Sequence, residues 1–215
     1  MKSYDIYIFD LDGTITDTMT VWLGMLRDAL SHLGITPPDD KTLARYSHDW
    51  KELRHIGFPE NKFDELRKLI YVMANERLPK AEFHNGAYET LEALQNKGKR
   101  LAIYSSLDTA MFEPAMQNRN LYPLVEVAVA GTDITHRKPH PEGILKTMQE
   151  LDIAPEFYHS VVYVGDKDTD IQAAHNAGIE SILYYPIAHS IIYDLKDLKK
   201  YNPTHIITQW QELLD

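Results

Sequence analysis

Six short apolar runs recur along this chain, and longer stretches with helical periodicity separate them. The runs are Lys2 to Phe9, Arg100 to Tyr104, Val125 to Ala130, Ser160 to Val164, Ser181 to Tyr185 and His205 to Ile207. Parallel strands cannot be joined by a tight turn. Each crossover needs a longer connection, usually a helix, so this alternation predicts an α/β fold: a doubly wound parallel sheet covered on both faces. Ala87 to Lys97 carries Tyr88, Leu91 and Leu94 at helical spacing and stops at Gly98. Pro141 to Leu151 and Thr169 to Ala177 read the same way, the latter ending at Gly178.

One gap is too long for an ordinary crossover. Between the first and second runs, Met19, Trp22, Leu23, Leu26, Leu30 and Leu33 form one amphipathic stripe, and Leu66, Leu69, Ile70 and Met73 form another. Pro37-Pro38 and Gly57-Phe58-Pro59 break the segment into separate helices. The expected organisation is a core built from residues 1–16 and 84–215, with a helical cap domain, 17–83, inserted over the C-terminal end of the sheet. Linkers fall near Asp17-Thr18 and between Pro79 and Asn85.

The first apolar run stops on Asp10-Leu11-Asp12-Gly13-Thr14. In extended backbone Asp10 and Asp12 point to the same side. Two neighbouring carboxylates repel, and desolvating them is costly unless a cation or a shared proton lies between them. Taken alone, the pair also reads as a strand-end turn, where Asp and Gly are common. The formal net charge of -10 argues against binding driven by nucleic-acid phosphates. A small anionic substrate stays open, because a metal and a few cations can reverse the potential in one cleft. The chain has no cysteine, which excludes disulfides, thiolate catalysis and Cys-zinc sites. No apolar stretch approaches the ~20 residues of a membrane span, and the N-terminus does not read as a signal peptide. The expectation is a cytoplasmic protein, monomer or homodimer, with no membrane and no nucleic-acid partner.

Three further stations stand at or beyond apolar runs: Ser105-Ser106 after the second, Arg137-Lys138-Pro139-His140-Pro141 past the third, and Val164-Gly165-Asp166-Lys167-Asp168-Thr169-Asp170 at the end of the fourth. Together with Asp10 to Thr14 they resemble, in order and spacing, the four signature motifs of the haloacid dehalogenase-like hydrolase superfamily. His84-Asn85-Gly86 and Ala174 to Gly178 are similar to the family as well. The insertion is similar to the α-helical cap of its phosphoglycolate phosphatase-like and β-phosphoglucomutase-like members. Two positions depart from family habit: Lys167, where many members have a small hydroxyl residue, and Ser106, where many have Asn.

The resemblance implies a magnesium-dependent phosphatase acting on a small phosphorylated metabolite such as phosphoglycolate, a sugar phosphate or a nucleoside monophosphate. A phosphomutase of the same family is the alternative. Asp10 is then the nucleophile that forms an aspartyl-phosphate, and Asp12 the general acid and base. Magnesium is expected on Asp10 and Asp166, with the Asp12 backbone carbonyl as a further ligand and Asp170 behind them, holding a ligating water or orienting Lys138. Ser105 and Ser106 are expected to bind phosphate oxygens, and Lys138 to neutralise their charge. In the cap, Arg45 and His48 are candidates for a second anionic group, with Arg54 and His55 behind them. An Asp at position 12 speaks against 2-haloacid dehalogenation, which needs neither a proton-donating second Asp nor a metal. Phosphonate cleavage is disfavoured because neither Lys41 nor Lys51 stands in a matching motif.

Overall fold

The computed structural model describes residues 2–46 and 50–215. Strands β1 (Ile6–Phe9), β2 (Arg100–Tyr104), β3 (Val127–Val129), β4 (Val161–Gly165), β5 (Glu180–Tyr184) and β6 (His205–Ile207) form one sheet. Its order is β3-β2-β1-β4-β5-β6, and every neighbouring pair is parallel. Helices are α1 (Met19–His32), α2 (Asp40–Tyr46), α3 (Phe63–Arg77), α4 (Ala87–Asn96), α5 (Thr109–Asn118), α6 (Glu142–Glu150), α7 (Asp168–Asn176) and α8 (Leu195–Lys199).

The strands are apolar on both sides because both faces of the sheet are covered. Tyr7, Phe9, Ile103 and Val164 pack with Leu91 and Leu94 of α4, Phe112 and Met116 of α5, and Trp210. Their alternates Ile6, Ile8, Ala102 and Tyr163 pack on the other face with Ile144 and Met148 of α6 and Ala173 and Ala174 of α7. All four residues of β1 are buried, and each such aliphatic or aromatic side chain contributes about 1.5–3 kcal/mol of transfer free energy. The connections leave β1 toward β2 and β3 on one side and toward β4, β5 and β6 on the other. Open α/β sheets bind ligands at such a reversal, beyond the carboxyl ends of the strands.

Several edges differ from the sequence expectation, each for a local reason. β1 begins at Ile6, and the Lys2 and Tyr4 side chains instead converge on Glu180. The third strand keeps only Val127–Val129, since Val125 closes a 3-10 turn and the Ala130 amide is taken by the Asp133 carboxylate at 2.7 Å. Ser160 ends the 3-10 segment Pro155–Ser160, so β4 starts one residue later. Helices α5 and α8 were not expected. Pro114 inside α5 removes one backbone donor and hides the helix from a reading by propensity.

Between β1 and β2, helices α1, α2 and α3 bury a cluster of their own that includes Leu23, Leu26, Leu30, Leu43, Leu66 and Ile70. Met111 of α5 joins it, with Tyr193 packed alongside, so the insertion rests on the sheet-bearing body. The chain enters and leaves this insertion through two segments held side by side: Asp17 N donates to Glu82 O at 2.9 Å and His84 N to Ile15 O at 3.0 Å. Buried Arg119 donates to the carbonyls of Leu78 (2.9 Å), Pro79 (3.0 Å) and Ala81 (2.8 Å), which ties the returning segment to the end of α5.

Candidate active site

Register decides which side chains meet. Phe9 pairs with Val164, and Asp10 N donates to Val164 O at 2.8 Å. The residues that follow β1 and β4 therefore emerge together, and both Asp10 and Asp166 are buried. Asp170 stands in the first turn of α7, where its Oδ2 accepts from the amides of Asp166 (3.0 Å) and Lys167 (2.9 Å). Two glycines make this closeness possible. Gly13 has φ +86°, and a Cβ there would lie 2.7 Å from Asp166 Oδ2; at Gly165 a Cβ would meet the Asp170 side chain at 2.4 Å. Asp10, Asp166 and Asp170 each offer an oxygen to one cluster, within 4.8 Å of one another.

Lys138 reaches the same place from the loop before α6. Glu142 clasps that loop by accepting from the amides of Thr135 and His136, both at 2.8 Å. The Lys138 ammonium, 5% exposed, sits 2.9 Å from Asp10 Oδ1 and 2.7 Å from Asp170 Oδ1, and donates to Tyr163 OH at 2.9 Å. Tyr163 OH in turn donates to Tyr104 O at 2.9 Å, and the ammonium lies over both tyrosine rings. Asp10 Oδ1 is buried, and the ammonium is its close polar partner in an ion pair.

Burial dominates the electrostatics. It pushes the Asp10 carboxyl up to about 6, with Asp170 adding repulsion and Lys138 and Lys167 opposing the rise. Burial and the neighbouring carboxylates Asp170, Asp10 and Asp12 push Asp166 up to about 8, against the pull of Lys167. Burial alone would lower Lys138, but Asp10 and Asp170 overcome it and hold the ammonium charged well above its usual range. Asp10, Asp166 and Asp170 are three carboxylates, and among the described residues only Lys138 forms a close ion pair with two of them. Three buried carboxylates whose donors are all oxygen, with the Lys138 ammonium bridging two of them, fit a hard divalent cation.

The sequence-expected residues fall into three groups. Asp10, Lys138, Asp170, Ser105 and Ser106 line one cavity of about 320 Å³, and Asp166 lies buried behind it. Asp12 lines the cavity too, but its carboxylate is turned to the Trp22 indole rather than into the oxygen cluster. Both oxygens of Asp170 are already engaged, by Lys138 and by two amides, so its evident work is to orient Lys138 and the turn into α7. Arg45 lies on α2 with its side chain outside the described residues, and His48 also lies outside them. Arg54 and His55 are exposed on the 3-10 segment Trp50–Ile56.

Four participants escaped the sequence reading. Trp22 reads there as a member of an apolar stripe, Tyr163 as a strand residue, and Thr14 as part of the turn, although its Oγ1 donates to Asp166 Oδ1 at 3.3 Å. His189 is fully buried, its Nδ1 3.9 Å from Asp166 Oδ2. Its segment carries no motif, so nothing in the sequence points to it. Lys167, one of the two unusual positions, lines the cavity and feels Asp166, Tyr193, Asp12 and Asp10.

A parallel sheet with carboxylates at two adjoining strand ends, a buried lysine bridging Asp10 and Asp170, and helices inserted after the first strand define an α/β protein with a carboxylate-centred site. The family profile described as Haloacid dehalogenase-like hydrolase matches residues 7–184. The chain belongs to that family and is a hydrolase. Among curated relatives, a phosphoglycolate phosphatase of Aquifex aeolicus is 28% identical, covering 94% of this chain and 98% of the relative. A phosphoglycolate phosphatase of Escherichia coli O157:H7 is 34% identical, covering 81% and 78%. A pyrophosphatase PpaX of Bacillus mycoides is 25% identical, covering 96% and 94%. Among solved structures, a putative haloacid dehalogenase-like hydrolase from Bacteroides fragilis superposes with a TM-score of 0.80 at 22% identity, covering 98% of this chain and all (100%) of that one. These relatives support a phosphatase.

Proposed function

We propose that the protein hydrolyses a small phosphate monoester through a phosphoryl group carried on Asp10. The observation that carries this reading is the Asp10 carboxylate: buried at a strand end, paired to a charged lysine, and clustered with Asp166 and Asp170. Asp10 attacks phosphorus in line, and an Asp10 oxygen–phosphorus bond forms as the ester oxygen departs. Asp12 gives that oxygen a proton, then takes one from the water that breaks the acyl-phosphate bond. Ser105 and Ser106 hold phosphate oxygens. Lys138 offsets the charge of the phosphoryl group, so that one anion can approach another.

Magnesium is the cation that suits this donor set, and Asp10, Asp166 and the Asp12 carbonyl would hold it, with Asp170 behind. When bound it supplies positive charge that orients and neutralises the phosphoryl oxygens. We read residues 17–83 as a cap that closes over the cavity and recognises the leaving group, with Arg45 and His48 as specificity candidates. The test is phosphate release from a panel of phosphate esters and pyrophosphate, with and without magnesium. Turnover of small monoesters that needs magnesium supports the reading. Isomerisation of glucose 1-phosphate to glucose 6-phosphate, without net phosphate release, would replace it with a mutase.

A pH dependence follows from the raised carboxyls. Asp10, at about 6, and Asp166, at about 8, bind a proton more tightly in the folded chain than in the unfolded one. Their contribution to stability is present below the ordinary carboxylate range and is lost as pH rises through about 6 and then about 8. Calorimetry on metal-free protein should therefore show Tm falling from mildly acidic to mildly alkaline buffer. Magnesium competes with those protons, so the increment in Tm it produces should grow over the same interval. A magnesium increment that is largest at acidic pH would contradict the cluster as the metal site.

A further inference from the structure

We propose that Trp22 is the positioning residue for the acid–base carboxylate of Asp12. This rests on the reading of Asp12 given above. Trp22 stands on the first turns of α1, within the helical insertion, and packs beside that insertion's own cluster. Its indole nevertheless reaches back to the turn after β1, where Nε1 lies 3.1 Å from Asp12 Oδ2 and 3.3 Å from Oδ1. Among the described residues no other donor hydrogen-bonds that carboxylate, and both side chains line the cavity that holds Asp10 and Lys138.

The chemistry of the indole gives this contact a direction. An indole N–H donates and cannot accept. The N–H lies within hydrogen-bond distance of both oxygens, so it fixes the plane of the carboxyl, and when Asp12 carries a proton the O–H must turn away from Trp22. As the ester P–O bond breaks and the Asp10–phosphorus bond forms, the proton passes from Asp12 to the departing alkoxide. Asp12 is left as a carboxylate, still held by the indole, and can accept a proton from the attacking water. Because the donor belongs to the insertion and the acceptor to the sheet-bearing body, the acid is aligned only while the two parts keep this contact.

The sharpest test uses two esters with different need of an acid. The 4-nitrophenolate of 4-nitrophenyl phosphate leaves unaided, whereas the alkoxide of phosphoglycolate needs a proton. In Trp22→Phe, the single-turnover rate at which glycolate leaves phosphoglycolate should fall by roughly 10- to 100-fold, while the 4-nitrophenolate burst from 4-nitrophenyl phosphate changes little, and Trp22→His, which keeps an N–H, should recover most of the loss. Asp12→Asn is the reference and should show the same selectivity more strongly. A selective loss in Asp12→Asn with an unchanged ratio of the two rates in folded Trp22→Phe overturns the inference alone. An Asp12→Asn variant in which both leaving-group release rates fall equally, or wild-type protein that turns over neither ester, overturns the reading of Asp12 or of the whole site, and the inference with it.

Discussion

Asp10→Asn should lower turnover of any phosphate ester by at least about 10³-fold while leaving the fold as stable as before, or more so. The amide is nearly isosteric but cannot act as a nucleophile, and Asp170, which lines the same cavity, is held by Lys138 and two amides. Asp166 lies behind the cavity, and Asp12 is tethered to Trp22. The stability half of the expectation comes from burial. Asp10 is 3% exposed and its carboxyl is pushed up to about 6, so the ionised group is held in the fold at a cost that a neutral amide avoids. Steady-state phosphate release and a melting curve on one preparation check both halves. A variant that melts well below the parent would show instead that Asp10 mainly holds the structure together.

Lys138→Met should behave in the opposite way on stability. The ammonium is 5% exposed, within 2.9 Å of Asp10 and 2.7 Å of Asp170, and rests on the rings of Tyr104 and Tyr163. Methionine keeps the stem against those rings but leaves the buried carboxylates without their ion-pair partner. Removing one member of a buried pair costs about 3–5 kcal/mol. Loss of a preorganised charge at the reacting phosphoryl group costs on the order of 10²–10³ in kcat. The variant should thus melt early and react slowly, and magnesium should recover part of the stability by returning positive charge to the cluster. Full activity in Lys138→Met would remove the lysine from the chemistry.

What the sequence disclosed and what it hid follow from the range of the forces involved. Strand-end motifs are local: an apolar run, a turn residue and a carboxylate adjoin in the chain, so Asp10, Ser105, Lys138, Asp166 and Asp170 could be named before their geometry was known. All but Asp166 line one cavity, and Asp166 lies just behind it. The doubly wound sheet was legible for the same reason, since strands covered on both faces are apolar throughout. Contacts between distant segments were not legible. Trp22 reaches Asp12 because α1 folds back on the body, Arg119 finds three carbonyls of the returning segment, and His189 is buried near Asp166 by the turn after β5. Each residue type also has an ordinary local reading, as core aromatic, surface cation or loop histidine, and only tertiary structure overrides it. Helix α5 was missed because Pro114 outweighs its apolar neighbours in any local reading.

The central claim is a covalent bond between phosphorus and Asp10, and the direct measurement is a crystal structure of the protein soaked with magnesium and beryllium fluoride. The account predicts a trifluoroberyllate bonded to an Asp10 oxygen, with Lys138 and Ser105 at its fluorines. A trifluoroberyllate bonded to any other side chain, or held in the cavity without a bond to Asp10, would contradict it.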